Sequence, residues 1–344
     1  MRKEVLVVGC ALMVFCGCGK NNAAQHYESG WAAMEKKDYT TAVNEFQQVI
    51  DQNSRLAESY RAEGIAYYSE KAYPEAIAAF SRSLNNMDDP DKEFKKDVQF
   101  YLAQARMDYG EVDKAIEVYS EILKAGEDEQ AFFLRGKAYI SMEDYKNAEK
   151  DFQRALEGCE DYNLYINIYQ IYVDHNKAVD GDDYLKMALE LEPQDGEDCY
   201  HRGRIYEYEK NYEAARDELK TAMEQGYEDA MLLLGRVYLE MEDPASARSM
   251  YQEYLQKSEQ GAKAYNGLAM CDIYDGAYDS ALENIAQGLK ENSKEDEQGL
   301  LYNEIVAYEY KRDFATAKEK MKIYLEQYPE DEAALRENEF LSTR

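Results

Sequence analysis

From about residue 23 onward, apolar residues recur at i, i+3, i+4 and i+7 over stretches of roughly a dozen residues, the period of an amphipathic helix and not the alternation of a strand. The stretches come in pairs, separated by short breaks such as Lys36-Lys37-Asp38, Glu143-Asp144, Glu242-Asp243-Pro244 and Lys311-Arg312-Asp313. A small residue marks the second stretch of every pair: Ala42, Ala76, Ala115, Ala148, Gly181, Ala215, Ala247, Ala281 and Ala317, stepping by 34, 39, 33, 33, 34, 32, 34 and 36 residues. Four residues after it comes an apolar side chain without exception, from Phe46 and Phe80 through to Ile285 and Met321. Nine residues before it six units carry Tyr, at Tyr67, Tyr139, Tyr172, Tyr206, Tyr238 and Tyr308. Three residues earlier still, Gly30, Gly64, Gly136, Gly203 and Gly235 recur. Nine units follow, each a helix pair that cannot bury both of its faces alone, so stacking of neighbours must make the core.

These columns resemble the tetratricopeptide repeat, with its W-x2-L-G-x2-Y, A-x3-F and P pattern over 34 residues. The resemblance implies an all-α, right-handed superhelical solenoid of about nine repeats across residues 23–331, with Gly and Ala letting the paired axes approach and the aromatic filling space between units. Departures fall in unit three (Ala103, Arg106), unit five (Tyr169, Gly181), unit eight (Ala269, Asp272) and unit nine (Ile305). Two spacers are longer, Asn85 to Lys96 and Asn292 to Gln298, and read as a lengthened helix or a surface loop in preference to a hinge. Residues 332–344 are expected to form a capping helix with a polar outer face.

Residues 1–17 read as delivery, not fold: Arg2 and Lys3, then the apolar run Val5 to Phe15, too short to span a bilayer. The end of the run resembles the lipobox of bacterial lipoproteins, which implies cleavage before Cys18, a lipid on its thiol, and a short linker at 18–22. Phe15 departs from the aliphatic residue preferred three places before the cysteine; Cys10 has the better local box but too short an apolar core ahead of it. The expected location is therefore a bacterial cell membrane, lipid-anchored and facing outside the cytoplasm.

Charge narrows the partners. Lys+Arg 40 against Asp+Glu 70 gives a formal net charge of -30, which repels phosphate backbones, so nucleic acid is not an expected partner. Past the leader, Cys159, Cys199 and Cys271 are too widely spaced for a zinc motif and read as small apolar fillers at helix positions. His26, His175 and His201 are scattered, and no phosphate loop, G-x-S-x-G or H-E-x-x-H occurs, so neither catalysis nor a cofactor or metal is expected.

In the tetratricopeptide family the first helix of each unit lines the binding groove, which implies two columns of ligand-facing residues, three before and one after the glycine position. The earlier column is Tyr27, Arg61, Phe100, Phe133, Ile166, Tyr200, Leu232, Asn266 and Tyr302. The later is Trp31, Ile65, Gln104, Lys137, Gln170, Arg204, Arg236, Met270 and Val306. With four cations and no Asp or Glu, these columns suit a protein or peptide ligand bearing apolar and acidic side chains. The Lys/Asn pattern of chaperone-binding relatives is absent: Arg61 is followed by Ile65, Phe100 by Gln104. A scaffold or assembly adaptor is the leading reading; a pilot lipoprotein of an envelope machine and a self-associating structural solenoid stand as alternatives.

Overall fold

The computed structural model describes residues 22–87, 91–258 and 260–344. The leader, Cys18 and the spacer residues Asp88, Asp89 and Pro90 lie outside the described residues. Those described form nineteen α-helices and no strand. They divide into two compact units, one running to Cys159 and the other from Glu160.

The first unit holds four helix pairs: α1 (Asn22–Glu35) with α2 (Tyr39–Asp51), α3 (Leu56–Ser69) with α4 (Tyr73–Asn85), α5 (Lys92–Tyr109) with α6 (Val112–Ala125), and α7 (Glu129–Ser141) with α8 (Tyr145–Ala155). The second holds five more: α9 (Tyr162–Asp174) with α10 (Ala178–Leu189), α11 (Gly196–Tyr208) with α12 (Tyr212–Glu224), α13 (Ala230–Glu240) with α14 (Pro244–Lys257), α15 (Ala262–Tyr274) with α16 (Tyr278–Lys290), and α17 (Glu297–Tyr310) with α18 (Phe314–Gln327). A final helix, α19 (Glu332–Ser342), packs on α18. Of the longer spacers, the first is partly absorbed into α5, at 18 residues a turn longer than its equivalents, and the second is a loop pinned by Ser293 donating to Asp296. The boundary between the units falls at neither; it follows α8, where Gly158 takes a φ of 72°.

Every pair turns in the same way. Lys37, Lys71, Gly110, Glu143, Asn176, Lys210, Glu242, Gly276 and Arg312, each five residues before the small position of the second helix, adopt positive φ of 57 to 89°. The next residue is the N-cap, and in five pairs its side chain accepts from the third backbone N–H of the new helix, as Asp38 does from Thr41 and Asp313 from Thr316.

The glycine column is explained by what faces it. A Cβ on Gly30, Gly64 or Gly136 would lie 2.5 to 2.7 Å from the ring of Phe46, Phe80 or Phe152, the aromatic on the second helix of the same pair. That ring also reaches the next pair: Phe46 packs with Ala62 and Ala66, Phe80 with Val98 and Ala103. Unit five inverts the arrangement, with Tyr169 on the first helix and Gly181 opposite, where a Cβ would lie 3.1 Å from the tyrosine ring. In the second unit the cores again run from pair to pair, through Leu219 and Leu234, Tyr251 and Leu268, Ile285 and Leu300, and Met321 and Leu341.

A polar rung joins the two helices of three pairs. Arg135 grips Asp151 through two bonds of 2.6 and 2.7 Å and also donates to Ser120; Arg202 donates to Glu218 at 2.8 Å; in unit nine the polarity reverses, with Lys320 2.8 Å from Glu304. The same position in unit two is Glu63, only 2% exposed, with its Oε2 unpaired and its carboxyl held above the usual range by burial.

Cys199 and Cys271 are buried in helices, and burial pushes the Cys271 thiol up to about 11. Cys159 differs from expectation: it is half-buried in the turn after α8, not on a helix. The outer face of α19 is not wholly polar either, since Leu335 and Phe340 are exposed there.

Candidate peptide-binding face

Within each unit the first helices of successive pairs lie side by side, α1 on α3 and α3 on α5 in the first, α9, α11, α13, α15 and α17 in order in the second. Each presents the same registers to the same side, because residues three and four apart share a helix face. The two columns read from the sequence therefore fall on one face of each unit, but they behave differently.

The earlier column is half-buried. Its rings pack against the second helix of their own pair or its following turn: Tyr27 on Phe46 at 5.8 Å between centroids, Phe100 on Tyr119 at 6.3 Å, Phe133 on Phe152 at 6.1 Å, Tyr200 on Tyr227 at 4.9 Å and Tyr302 on Tyr324 at 5.8 Å. Ile166 is buried outright. Such rings form the floor of the face and lend it rigidity. For Tyr27 and Phe133 the glycine three residues on leaves room for the opposing aromatic, Phe46 or Phe152.

The later column projects further. Lys137, Gln170, Arg236 and Met270 are exposed, and Gln104 and Arg204 half-exposed. The exceptions are Trp31, its ring 5.6 Å from Phe46 in the cluster that also holds Tyr27, Ile65, packed on the next core cluster, and half-buried Val306.

The expectation of unopposed cations is corrected by carboxylates at registers beside the columns. Arg61 donates to Asp97 on α5 and lies over the Tyr101 ring, and Arg236 is held by both oxygens of Glu207 on α11 at 2.5 and 2.6 Å. Gln104 and Gln170 donate to Asp108 and Asp174 one turn on. A single row read down the face misses these acids because they sit one turn away along the first helices. That leaves Lys137, whose side chain makes no bond or ion pair among the described residues, and Arg204. Arg204 lies 3.2 Å from Nδ1 of His201 and 3.5 Å from Asn163. Burial, aided by that guanidinium, pushes His201 down to about 4, so the ring is neutral and Arg204 keeps an uncompensated charge.

The three histidines lie apart, His26 against Glu45, His175 on the carbonyl of Ile171 and His201 on Asn163. Among the described residues no group of three or more His, Cys, Asp or Glu is arranged to hold a metal ion.

Comparison with known proteins places this geometry. The tetratricopeptide repeat model matches residues 27–91, 200–262 and 232–297, and a second model of the same description matches 129–161, together more than half of the chain. No curated protein matches. Among solved structures, the chain is similar to a tetratricopeptide repeat protein from Parabacteroides merdae (15% identity, 83% of this chain and 99% of that one, TM-score 0.46). It is similar also to yeast Tom70 (15% identity, 89% and 78%, TM-score 0.49) and to YrrB, described as a TPR protein with an unusual peptide-binding site (26% identity, 55% and 97%, TM-score 0.36). With the repeat signature matched in both units and nine helix pairs among the described residues, four of them built on the Gly–aromatic contact, the chain belongs to the tetratricopeptide repeat family.

Proposed function

We propose that this protein is a non-catalytic scaffold or assembly adaptor that holds another polypeptide on the first-helix face. The observation that carries the reading is the register: Gln104 and Lys137 in one unit, Gln170, Arg204 and Arg236 in the other, recur at one position of successive first helices over a floor of half-buried rings. An extended or helical ligand would lay apolar side chains on that floor and hydrogen-bond to the row of long polar groups. Lys137 in the first unit and Arg204 in the second would each serve an acidic group on the segment that its own unit holds. The ligand is a protein or peptide, not nucleic acid.

The protein acts, in this reading, outside the cytoplasm of a bacterial cell, tethered by a lipid on Cys18 after loss of the leader. Two acyl chains suffice for stable anchoring where one is marginal, at ~0.8 kcal/mol per buried CH₂. Mass spectrometry of the mature N-terminus tests this half: a lipid-modified Cys18 is expected, and an unmodified N-terminus beginning with Met1 contradicts it.

Selection of a random peptide library displayed on phage, against the immobilised chain, tests the binding half. Enriched peptides are expected to lose about tenfold in affinity for a Lys137→Glu/Arg204→Glu variant. Equal recovery by both proteins would remove the first-helix face as the binding surface.

A further inference from the structure

The last two first helices carry an apolar patch that the paired columns do not account for. Met270 and Tyr274 on α15 are exposed and one turn apart, and Tyr310 on α17 ends its helix at the register at which Tyr274 ends α15. The two helices touch. Tyr274 and Tyr310 are 54% and 59% exposed, unusual for rings on packed helices, and Tyr310 is held in place by stacking on Tyr278 at 6.1 Å. A ring already fixed loses little entropy when a ligand covers it.

The charges around this patch are lopsided. Arg248 is shared between Asp272 and Asp275 at 2.7 and 2.8 Å, and Lys311 is bound to Asp279 at 2.5 Å. Glu240, at the matching register on α13, receives only the Tyr212 hydroxyl, and Asp275, next to Tyr274 and half-exposed, has only a share of Arg248. Among the described residues two acids thus share Arg248 and Glu240 has no cation, against the one nearby unpaired guanidinium of Arg312.

We propose that repeats eight and nine take a segment of the partner polypeptide with large apolar side chains flanked by lysine or arginine. This rests on the first-helix binding reading above and adds to it the chemistry of one stretch of the ligand. The apolar side chains cover Met270, Tyr274 and Tyr310. The flanking cations meet Glu240 and Asp275 or lie over the exposed tyrosine faces.

The test titrates the full chain with three labelled peptides by fluorescence anisotropy: a Leu/Phe core with lysine flanks, the same core with glutamate flanks, and a serine core with lysine flanks. The first is expected to bind about tenfold more tightly than either other, with affinity falling as salt is raised. A Tyr274→Ser/Tyr310→Ser variant is expected to lose that preference, and Tyr274→Ser alone to weaken it while leaving the Tyr278 stack untouched. Equal binding of lysine- and glutamate-flanked peptides overturns the proposal, as does a preference that survives loss of both tyrosines. If none of the three binds while the phage library still yields ligands sensitive to Lys137 and Arg204, the patch proposal fails and the binding face stands; if the library also yields nothing, both fail.

Discussion

The two units differ in how their first helices are linked along the face. Up to Cys159, the earlier column is mostly aromatic and turns inward, Tyr27, Phe100 and Phe133 each stacking on the second helix of its own pair. Among the described residues the lateral bonds of this face run from Arg61 to Asp97 and from Tyr68 to Asp108, between α3 and α5, and from Lys96 on α5 to Asp128 at the start of α7. From Glu160 onward lateral links recur along the face: Arg204 with Asn163, Arg236 with Glu207, Asn303 with Asn266, and Tyr169 against Tyr208. Acidic residues outnumber basic ones more than twofold in this second region. Both units are packed from pair to pair, and on the second the lateral links recur along the whole run of first helices. A ligand on the second must compete with bonds the face makes to itself, whereas on the first it meets Lys137 without a rival.

The contrast is open to attack at several points. Trp31 is the single tryptophan and lies in the first pair, so its fluorescence reports the first unit, while far-UV circular dichroism reports both. The largest effect is expected from Asp151→Ala, which strands the largely buried Arg135 and should cost about 3–5 kcal/mol. It should lower the midpoint seen by Trp31. Glu218→Ala, which strands Arg202, should lower the dichroism midpoint and leave the Trp31 transition in place; a shared shift would show that the units unfold as one.

Next in size is Glu63→Leu. The same register holds Leu102, Leu234 and Leu268 in other units, and removing a buried, unpaired carboxylate oxygen should stabilise the first unit by about 1–3 kcal/mol in denaturant titrations. Loss of stability would mean that Glu63 has a partner in solution.

A pH effect is expected at the other end of the molecule. Burial, with Glu337 beside it, pushes Glu309 up to about 7 from 4.5. Its protonated form is favoured by the fold, so the contribution is greatest below pH 4.5 and is lost as pH rises towards 7. Glu309→Gln should therefore raise the melting temperature relative to wild type more at pH 8 than at pH 5. An equal difference at both values would contradict the assignment. The smallest effect is expected for Lys37→Gly: relief at a φ of 58° outweighs the entropy of glycine by only about 0.5–1 kcal/mol.

The helix pairs were legible because a period near 34 residues repeats its small and aromatic positions, and unit five stays legible once Tyr169 and Gly181 are seen as a swap of large and small. The face was half legible. The family resemblance put Tyr27, Phe100 and Phe133 on it, yet a ring's depth depends on the residue across the pair, such as Phe46 or Phe152, far away in sequence. Asp97 and Glu207, which neutralise Arg61 and Arg236, come from the adjacent first helix at registers outside the two columns. The rung joining Arg135 to Asp151 could have been found: aligning the units shows opposite charges sixteen residues apart there, in Arg202 and Glu218, and reversed in Glu304 and Lys320. The left-handed turn residue was hidden because Lys, Glu, Asn and Arg fill most of its positions, and the glycine signal appears only at Gly110 and Gly276.

The central claim is that ligands dock on first helices. Hydrogen exchange of the full chain, with and without a library-selected peptide at saturation, tests it most directly. Slowed exchange is expected in α5 and α7 or in α9, α11 and α13, with α6, α8, α12 and α14 unchanged. Protection confined to the second helices would contradict the account.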